Sequence, residues 1–306
     1  MVIIGQRRRR MKLAIAVVLL ALTGVLGGLY GRQIGSFVTH VRGSPTSTRP
    51  LVAFPADDQP VLRMAVAGDV GDGGSRAERT GTAIAEAAGR EPYDALLLLG
   101  DNVYPDGDLE LLDDRVFRPF APVLSLGTPL LAILGNHDVK RGEGVAMMER
   151  LGMPGRWWAE TLGDVVVIGL DSTRPDDPDQ REWLVSTLET SEARWNIVAL
   201  HHPPYSSGYQ GSSLDARAAF AAIFERFDVQ LVLSGHEHDY ERSKPINGVT
   251  YVVSGGAADT RRTGREPFTA VAVSWHHFVE VNVLDDRVVV RAVNQDGRVF
   301  DQFTLR

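Results

Sequence analysis

The sequence predicts an α/β fold in which two mixed β-sheets pack together and are flanked by helices. Short apolar runs of strand length, such as Ala95–Leu99, recur between residues 61 and 233 and are followed by glycine or histidine. Segments with helical patterns separate these runs, which is typical of parallel βαβ units. From Val249 onward, apolar and polar residues alternate with a period of two and are interrupted by turn sequences. That second pattern is typical of antiparallel strands.

The helices and the antiparallel strands can be assigned in chain order. Ser75 followed by Glu78 is a capping-box pattern, which predicts that a helix begins at Ser75. The five predicted helices span residues 75–88, 109–117, 143–151, 178–190 and 214–227. Residues 157–162 and 165–170, joined at Gly163-Asp164, predict a β-hairpin. The tail predicts an antiparallel meander with strands over residues 278–284, 288–293 and 299–305.

Five apolar runs are each followed at their carboxyl end by Asp, Asn or His. Open α/β sheets bind ligands at the carboxyl ends of their strands, so these side chains are expected near one another. Oxygen and imidazole ligands without thiolate suit zinc, manganese and iron. The pattern therefore predicts a metal site. The residues that follow the five runs are Gly68-Asp69, Gly100-Asp101, Gly135-Asn136-His137-Asp138, His201-His202 and Gly235-His236-Glu237-His238.

Charge and composition exclude several classes of function. The chain of 306 residues has a formal charge of −7 and no cysteine, which removes disulfides, thiolate ligands and cysteine nucleophiles. Residues 1–59 contain 8 basic and 2 acidic residues, which leaves a formal charge of −13 on residues 60–306. An acidic body argues against binding to a nucleic-acid backbone. Any affinity for phosphate must then come from a local cation.

The first 60 residues predict export and membrane attachment. Four arginines at 7–10 and Lys12 precede Leu13–Tyr30, which carries no charge. We interpret residues 1–31 as a basic region and signal anchor that holds the protein outside the cytoplasm, or as a cleaved signal that leaves it secreted. A buried core helix is the alternative, and Met11 is a second possible initiator. Residues 32–60, rich in Pro, Ser and Thr, predict a linker before a catalytic domain over residues 61–306.

The five motifs in order resemble the signature of the calcineurin-like metallophosphoesterases, which reads GD, GD, GNH[DE], H and GHxH. The match covers residues 61–242, and the resemblance implies that family's four-layer α/β/β/α sandwich. The first motif lacks the Asp-x-His of most of the superfamily, and Tyr104 follows Asp101 by three residues. Both features resemble the purple acid phosphatases, in which a tyrosine replaces the missing histidine.

The resemblance implies two metal ions. The first, expected to be Fe(III), has Asp69, Asp101, Tyr104 and His238 as its implied ligands. The second, a divalent iron, zinc or manganese ion, has Asp101, Asn136, His201 and His236 as its implied ligands. A phenolate is a hard anionic ligand that favours a trivalent ion, which agrees with this division.

The implied activity is hydrolysis of phosphomonoesters by metal-activated hydroxide, with a small phosphate ester as substrate. His137 is the candidate general acid, and Asp138 is expected to orient it. Asn136, His202 and Gln210 are candidate substrate contacts, and Gln210 stands where related enzymes commonly have a histidine. Two alternatives remain open: a phosphodiesterase acting on cyclic nucleotides or other diesters, and a metal- or phosphate-binding module without activity. The sequence does not indicate the oligomeric state.

Overall fold

The computed structural model describes residues 47–142 and 144–306, which form two seven-stranded β-sheets with helices packed on them. The first sheet contains, in spatial order, β1 (Arg49–Pro50), β14 (Arg298–Leu305), β13 (Val288–Asn294), β12 (His277–Val283), β2 (Leu62–Ala67), β3 (Ala95–Leu98) and β4 (Leu130–Ala132). The second contains β11 (Thr269–Val273), β9 (Tyr240–Ser243), β10 (Thr250–Ser254), β8 (Leu231–Ser234), β7 (Trp195–Leu200), β6 (Val165–Leu170) and β5 (Trp158–Leu162).

Both sheets are mixed, as predicted. In the first, β2, β3 and β4 are parallel and the tail meander joins them through the antiparallel pairing of β12 with β2. In the second, β6, β7, β8 and β10 are parallel, and the predicted hairpin pairs β5 with β6 in antiparallel register. The α-helices are α1 (Gly74–Ala88), α2 (Arg118–Leu124), α3 (Gly144–Leu151), α4 (Pro178–Glu189) and α5 (Leu214–Arg226).

Side-chain alternation within the second sheet separates two hydrophobic clusters. Val165 and Val167 of β6 belong to the cluster that includes the strands of the first sheet, whereas Val166 and Ile168 belong to a cluster with α4 and α5. Successive strand residues point to opposite faces, so one face of this sheet packs on the first sheet and the other on helices. Ile84 of α1 and Phe120 of α2 lie in the cluster of the first sheet. This arrangement confirms the predicted two-sheet α/β class.

Three details differ from the sequence expectations. The prediction of a capping box at Ser75 is wrong. The helix α1 begins at Gly74, and its N-cap residue is Gly73, which makes no side-chain capping bond. Residues 109–117 form a 3₁₀ turn, Leu109–Leu111, and a π-helical turn, Asp113–Phe117. The chain then continues directly into α2, a helix that the sequence did not predict because it contains Pro119 and Pro122. Pro119 is tolerated because it lies in the first turn.

Part of the predicted linker packs on the domain. Arg49 and Pro50 pair with β14, and Leu51 is buried in the main hydrophobic cluster. Phe54 is buried against Leu284 and Val289. The globular part therefore extends upstream of Val61.

Three sequence predictions lie wholly or partly outside the described residues. They are the signal anchor over residues 1–31, the first part of the linker over residues 32–46, and the start of the third predicted helix at residue 143. Within the residues that the structure describes, no helix is both long enough and apolar enough to cross a membrane.

Candidate metal centre

The carboxyl ends of strands from both sheets meet at one edge of the sandwich and bring together the predicted ligands. Asp69 and Asp101 follow β2 and β3 of the first sheet, and His201 and His236 follow β7 and β8 of the second. One donor atom from each of Asp69, Asp101 and His201 lies within 4.8 Å of the other two. The predicted ligands from the two sheets therefore form one site.

One group of donors surrounds the hydroxyl of Tyr104. This oxygen lies 3.0 Å from Asp69 Oδ1 and 3.0 Å from His238 Nε2. The third side of the triangle, from His238 Nε2 to Asp69 Oδ1, measures 3.4 Å. Two oxygens and one imidazole nitrogen thus converge on one point, as a metal ion requires.

A second group surrounds His201. Its Nε2 lies 3.1 Å from Asn136 Oδ1 and 3.4 Å from Asp101 Oδ1, and its ring centroid lies 5.1 Å from that of His236. His201 Nδ1 lies 2.8 Å from the carbonyl oxygen of Leu99 and can donate its proton there. In the neutral ring, that hydrogen bond leaves the lone pair of Nε2 available to a metal ion.

The backbone is unusual at three of these positions. Asp69, Asp101 and His236 have φ values of 58°, 52° and 70°, in the left-handed region that side-chain-bearing residues seldom adopt. Such conformations cost free energy and persist where the surrounding structure fixes them, often at functional sites. A Cβ atom on the neighbouring Gly235 would lie 2.6 Å from Asp69 Oδ2, so glycine is required there for close packing.

The electrostatics of the site favour bound cations. Asp69 and Asp101 are almost completely buried, which is costly for carboxylates without positive charge nearby. Burial opposes the charged form of His201, yet the charge of Asp101 raises the pKa of its ring to about 10. Burial and Asp69 raise the pKa of the Tyr104 phenol well above its usual range. The donor set fits two metal ions, and ligation by a Tyr104 phenolate would need a strongly polarising one.

His137 lies beside this centre, but Asp138 does not orient it. The His137 backbone N–H donates to Asp101 Oδ1 over 2.8 Å, and its ring makes an edge contact with Tyr104 at 4.5 Å between centroids. The buried Asp138 carboxylate instead accepts hydrogen bonds from the backbone N–H groups of Asn102, Val103 and Gly135 and from the Asn102 side chain. The expected contact with the His137 ring is therefore wrong, and Asp138 fixes two metal-site loops to each other.

The other two predicted substrate contacts lie at the edge of the site. The ring of His202 is 4.5 Å from that of His236, and its Nδ1 lies 2.9 Å from Ser172 Oγ. Burial and the neighbouring His201 lower the pKa of His202 to about 4, so this ring is neutral near pH 7. Gln210 is exposed, and its backbone N–H donates to Glu237, which lies between the two histidines of the last motif.

Two further residues contact the site without belonging to any motif. Asp259 Oδ2 lies 3.6 Å from Nδ1 of His238, a buried nitrogen that has no hydrogen-bond partner among the described residues, and Asp259 is paired with Arg76. Lys140 contacts the His137 ring. Nothing in the sequence marks Asp259, which follows a small-residue stretch far from the five strands. Lys140 stands two residues after Asp138, but an exposed lysine carries no signal by itself.

Comparison with known proteins agrees with this site. The family model described as calcineurin-like phosphoesterase matches residues 62–240. Purple acid phosphatase 21 of Arabidopsis thaliana is 28% identical over 206 residues, which cover 60% of this chain and 46% of that protein. Human acid phosphatase type 7 is 25% identical over 298 residues, covering 78% of this chain and 66% of that protein. The chain thus spans about half to two thirds of the length of these relatives.

A solved structure shows the same fold. The purple acid phosphatase PPD1 from seeds of yellow lupin, Lupinus luteus, superposes with a TM-score of 0.70 at 19% identity, over 82% of this chain and 54% of that one. The match to the family model covers more than half of the chain, which therefore belongs to the calcineurin-like phosphoesterase family, in a branch that resembles the purple acid phosphatases.

Proposed function

We propose that this protein hydrolyses phosphomonoesters with two metal ions and with His137 as the general acid. The observation that carries the proposal is the pair of donor groups, one around Tyr104 and one around His201. A donor atom of Asp101 lies within 4.8 Å of one from Asp69 in the first group and one from His201 in the second. Asp101 would therefore help to hold both ions, and paired metal sites recur in enzymes that transfer phosphoryl groups. The relatives named as acid phosphatases support the monoester as substrate.

The metal ions and His137 have separate roles in the proposed reaction. The chemistry that the metal ions supply when bound is a lowered pKa of coordinated water and charge compensation on the phosphoryl oxygens. His137 is held by its backbone bond to Asp101, and its Nδ1 faces the carbonyl oxygen of Pro105. The ring is about one quarter exposed, with Nε2 lying 3.9 Å from Asp101 Oδ2. This nitrogen is placed to protonate the leaving oxygen of a bound ester.

We propose Fe(III) for the group that contains Tyr104 and Fe(II), Zn(II) or Mn(II) for the other. The environment disfavours a free Tyr104 phenolate, since burial and Asp69 raise the pKa of the phenol. A trivalent ion is the type of metal that can offset this cost. Asn136 and two imidazoles add no negative charge to the second group, which suits a divalent ion.

The test is His137→Ala in the full chain, compared with wild type on two monoesters. We expect both metals to be retained, because the His137 ring is not needed in either donor group. We expect kcat/KM on an alkyl phosphate to fall about 10²- to 10⁴-fold, the usual contribution of general acid catalysis. Activity on 4-nitrophenyl phosphate should fall less, because nitrophenolate leaves without a proton.

Two outcomes would contradict these assignments. A fall in metal content, measured by elemental analysis of the purified variant, would make His137 a ligand rather than the acid. Preference of the wild type for a cyclic nucleotide over the alkyl phosphate would replace the monoester by a diester as substrate.

We also propose that the enzyme acts outside the cytoplasm, attached to the membrane by its N-terminal segment or secreted after cleavage. The basic residues before Leu13–Tyr30 support this proposal. Fractionation of cells that express the full chain, followed by alkaline extraction of the membranes, tests the attachment.

A further inference from the structure

The ammonium group of Lys140 lies against the ring of His137. Lys140 Nζ is 2.8 Å from Nδ1 and 3.1 Å from Nε2 of this ring, and 3.3 Å from the carbonyl oxygen of Pro105. Lys140 is exposed, so its ammonium group is accessible from solvent. A positive charge therefore stands next to the group that we assign as the general acid.

The adjacent arginine shows a different charge environment. Arg141 is paired with Asp106 at 2.8 Å and with Asp108 at 2.9 Å. Among residues 47–142 and 144–306, no carboxylate lies within 4 Å of Lys140 Nζ in an ion pair. Two consecutive cations on one loop thus differ: the charge of Arg141 is neutralised by carboxylates, and that of Lys140 lies beside the site.

The position of Lys140 relative to the reaction follows from the role of His137. A general acid must face the oxygen of the departing alcohol, and Lys140 Nζ lies 3.1 Å from Nε2, the ring nitrogen assigned to that role. A substituent on the alcohol is therefore within reach of the ammonium group. The body of the protein is acidic, which repels substrates with extra negative charge unless a local cation compensates. Lys140 is such a cation.

We propose that Lys140 binds a second anionic group carried by the leaving alcohol. The preferred substrates are then phosphomonoesters whose alcohol bears a carboxylate or a further phosphate close to the ester oxygen. This inference rests on the proposed function, because it takes its orientation from His137. It assigns Lys140 to substrate binding and not to proton transfer.

The experiment compares two small esters of similar size. In phosphoglycolate the leaving alcohol carries a carboxylate, and in 2-hydroxyethyl phosphate it is neutral. We expect Lys140→Met to lower kcat/KM on phosphoglycolate about fivefold to tenfold, as for an exposed charge pair, and to change the value for the neutral ester less than about twofold. The preference should weaken with added salt, because exposed charges are screened.

Two matched variants separate the charge from other effects. Lys140→Arg keeps the charge and should retain the preference for phosphoglycolate. Arg141→Met removes the same charge from the next residue and should leave the ratio of the two kcat/KM values unchanged, because Asp106 and Asp108 already compensate it. A loss in Arg141→Met equal to that in Lys140→Met would overturn the proposal, since any cation of the loop would then have the same effect.

The remaining outcomes distinguish this proposal from the proposed function. An equal fall on both esters in Lys140→Met, or no change on either, would overturn the binding role. If the wild type hydrolyses neither ester, the proposed function fails. Calorimetric titration of wild type and Lys140→Met with phosphoglycolate then tests, without catalysis, whether Lys140 binds the carboxylate. Binding that weakens about fivefold to tenfold in Lys140→Met, with 2-hydroxyethyl phosphate unaffected, would support the contact, and equal binding would refute it.

Discussion

Replacing Gly135 by alanine should damage the metal centre without removing any ligand. A Cβ atom on Gly135 would lie 2.2 Å from the backbone nitrogen of Asp101 and 2.2 Å from its Oδ1. Both contacts are about 1 Å too short for non-bonded atoms. Since one of them is with the backbone, rotation of the Asp101 side chain cannot relieve the overlap.

Asp101 has little freedom to move away. Its backbone already occupies the left-handed region, its side chain is buried, and its Oδ1 accepts the hydrogen bond from the His137 N–H. The Gly135 N–H is itself bonded to Asp138. A shift of about 1 Å must therefore move Asp101 relative to His201 and Asn136. Misplacement by that amount typically costs about 10²-fold in rate, and overpacking costs about 1–3 kcal/mol of stability.

The assay measures three quantities on the same preparations: kcat/KM on a phosphomonoester, metal ions per chain and the free energy of unfolding in urea. Gly89→Ala is the matched control, because Gly89 has a helical φ of −66° and its nearest neighbour to an added Cβ lies 3.5 Å away. We expect the control to change the free energy of unfolding by less than about 1 kcal/mol and to keep full activity. Gly135→Ala with full metal content and kcat/KM within about threefold of wild type would refute the steric reasoning.

Two further predictions concern single side chains. If Tyr104 ligates Fe(III), the oxidised, iron-loaded protein should absorb visible light through phenolate-to-iron charge transfer, and Tyr104→Phe should abolish that band; a colourless wild type with full iron content would contradict the assignment. Burial lowers the pKa of His277 from 6.5 to about 4, so the unfolded chain binds a proton that the folded protein does not. Stability should be complete above about pH 6.5 and fall as the pH approaches 4, by about 2–3 kcal/mol at pH 4.5. His277→Gln should flatten this part of the pH profile of urea unfolding, and an unchanged slope would contradict the reasoning.

The strand ends explain why the sequence predicted much of the site. A strand buried on both faces leaves a continuous apolar run, and a polar residue that follows such a run, directly or after one glycine, has to lie at the edge of the sheet. Asp69, Asp101 and His201 all follow that pattern, and the structure places them in one site. The local sequence around each residue is enough to predict that it lies at the edge of the sheet, without knowledge of the tertiary structure.

Contacts between loops were not predictable in the same way. Asp138 follows His137 in sequence, which suggested that it orients the ring, but its carboxylate is bound by backbone N–H groups more than thirty residues away. The pairing of Asp259 with His238 joins residues that no periodicity connects. Leu51 and Phe54 lie in a stretch with the composition of a linker, yet both pack against strands of the tail and the first sheet. Side-chain partners at long range depend on the tertiary fold, and composition does not reveal them.

The proposed metal ligands and the proposed substrate-binding residues lie in different structural environments. The proposed metal ligands are buried or half-buried, and several are constrained by left-handed backbone, close glycine contacts and hydrogen bonds that connect both sheets. Lys140 and Gln210 are exposed on loops, so their replacement disturbs no donor group. Substitution of a proposed metal ligand should therefore lower the free energy of unfolding far more than substitution of Lys140 or Gln210. Substitutions at Lys140 should accordingly alter which ester is preferred while the metal content remains that of the wild type, whereas substitutions at Gly135 should alter the metal centre for every ester alike.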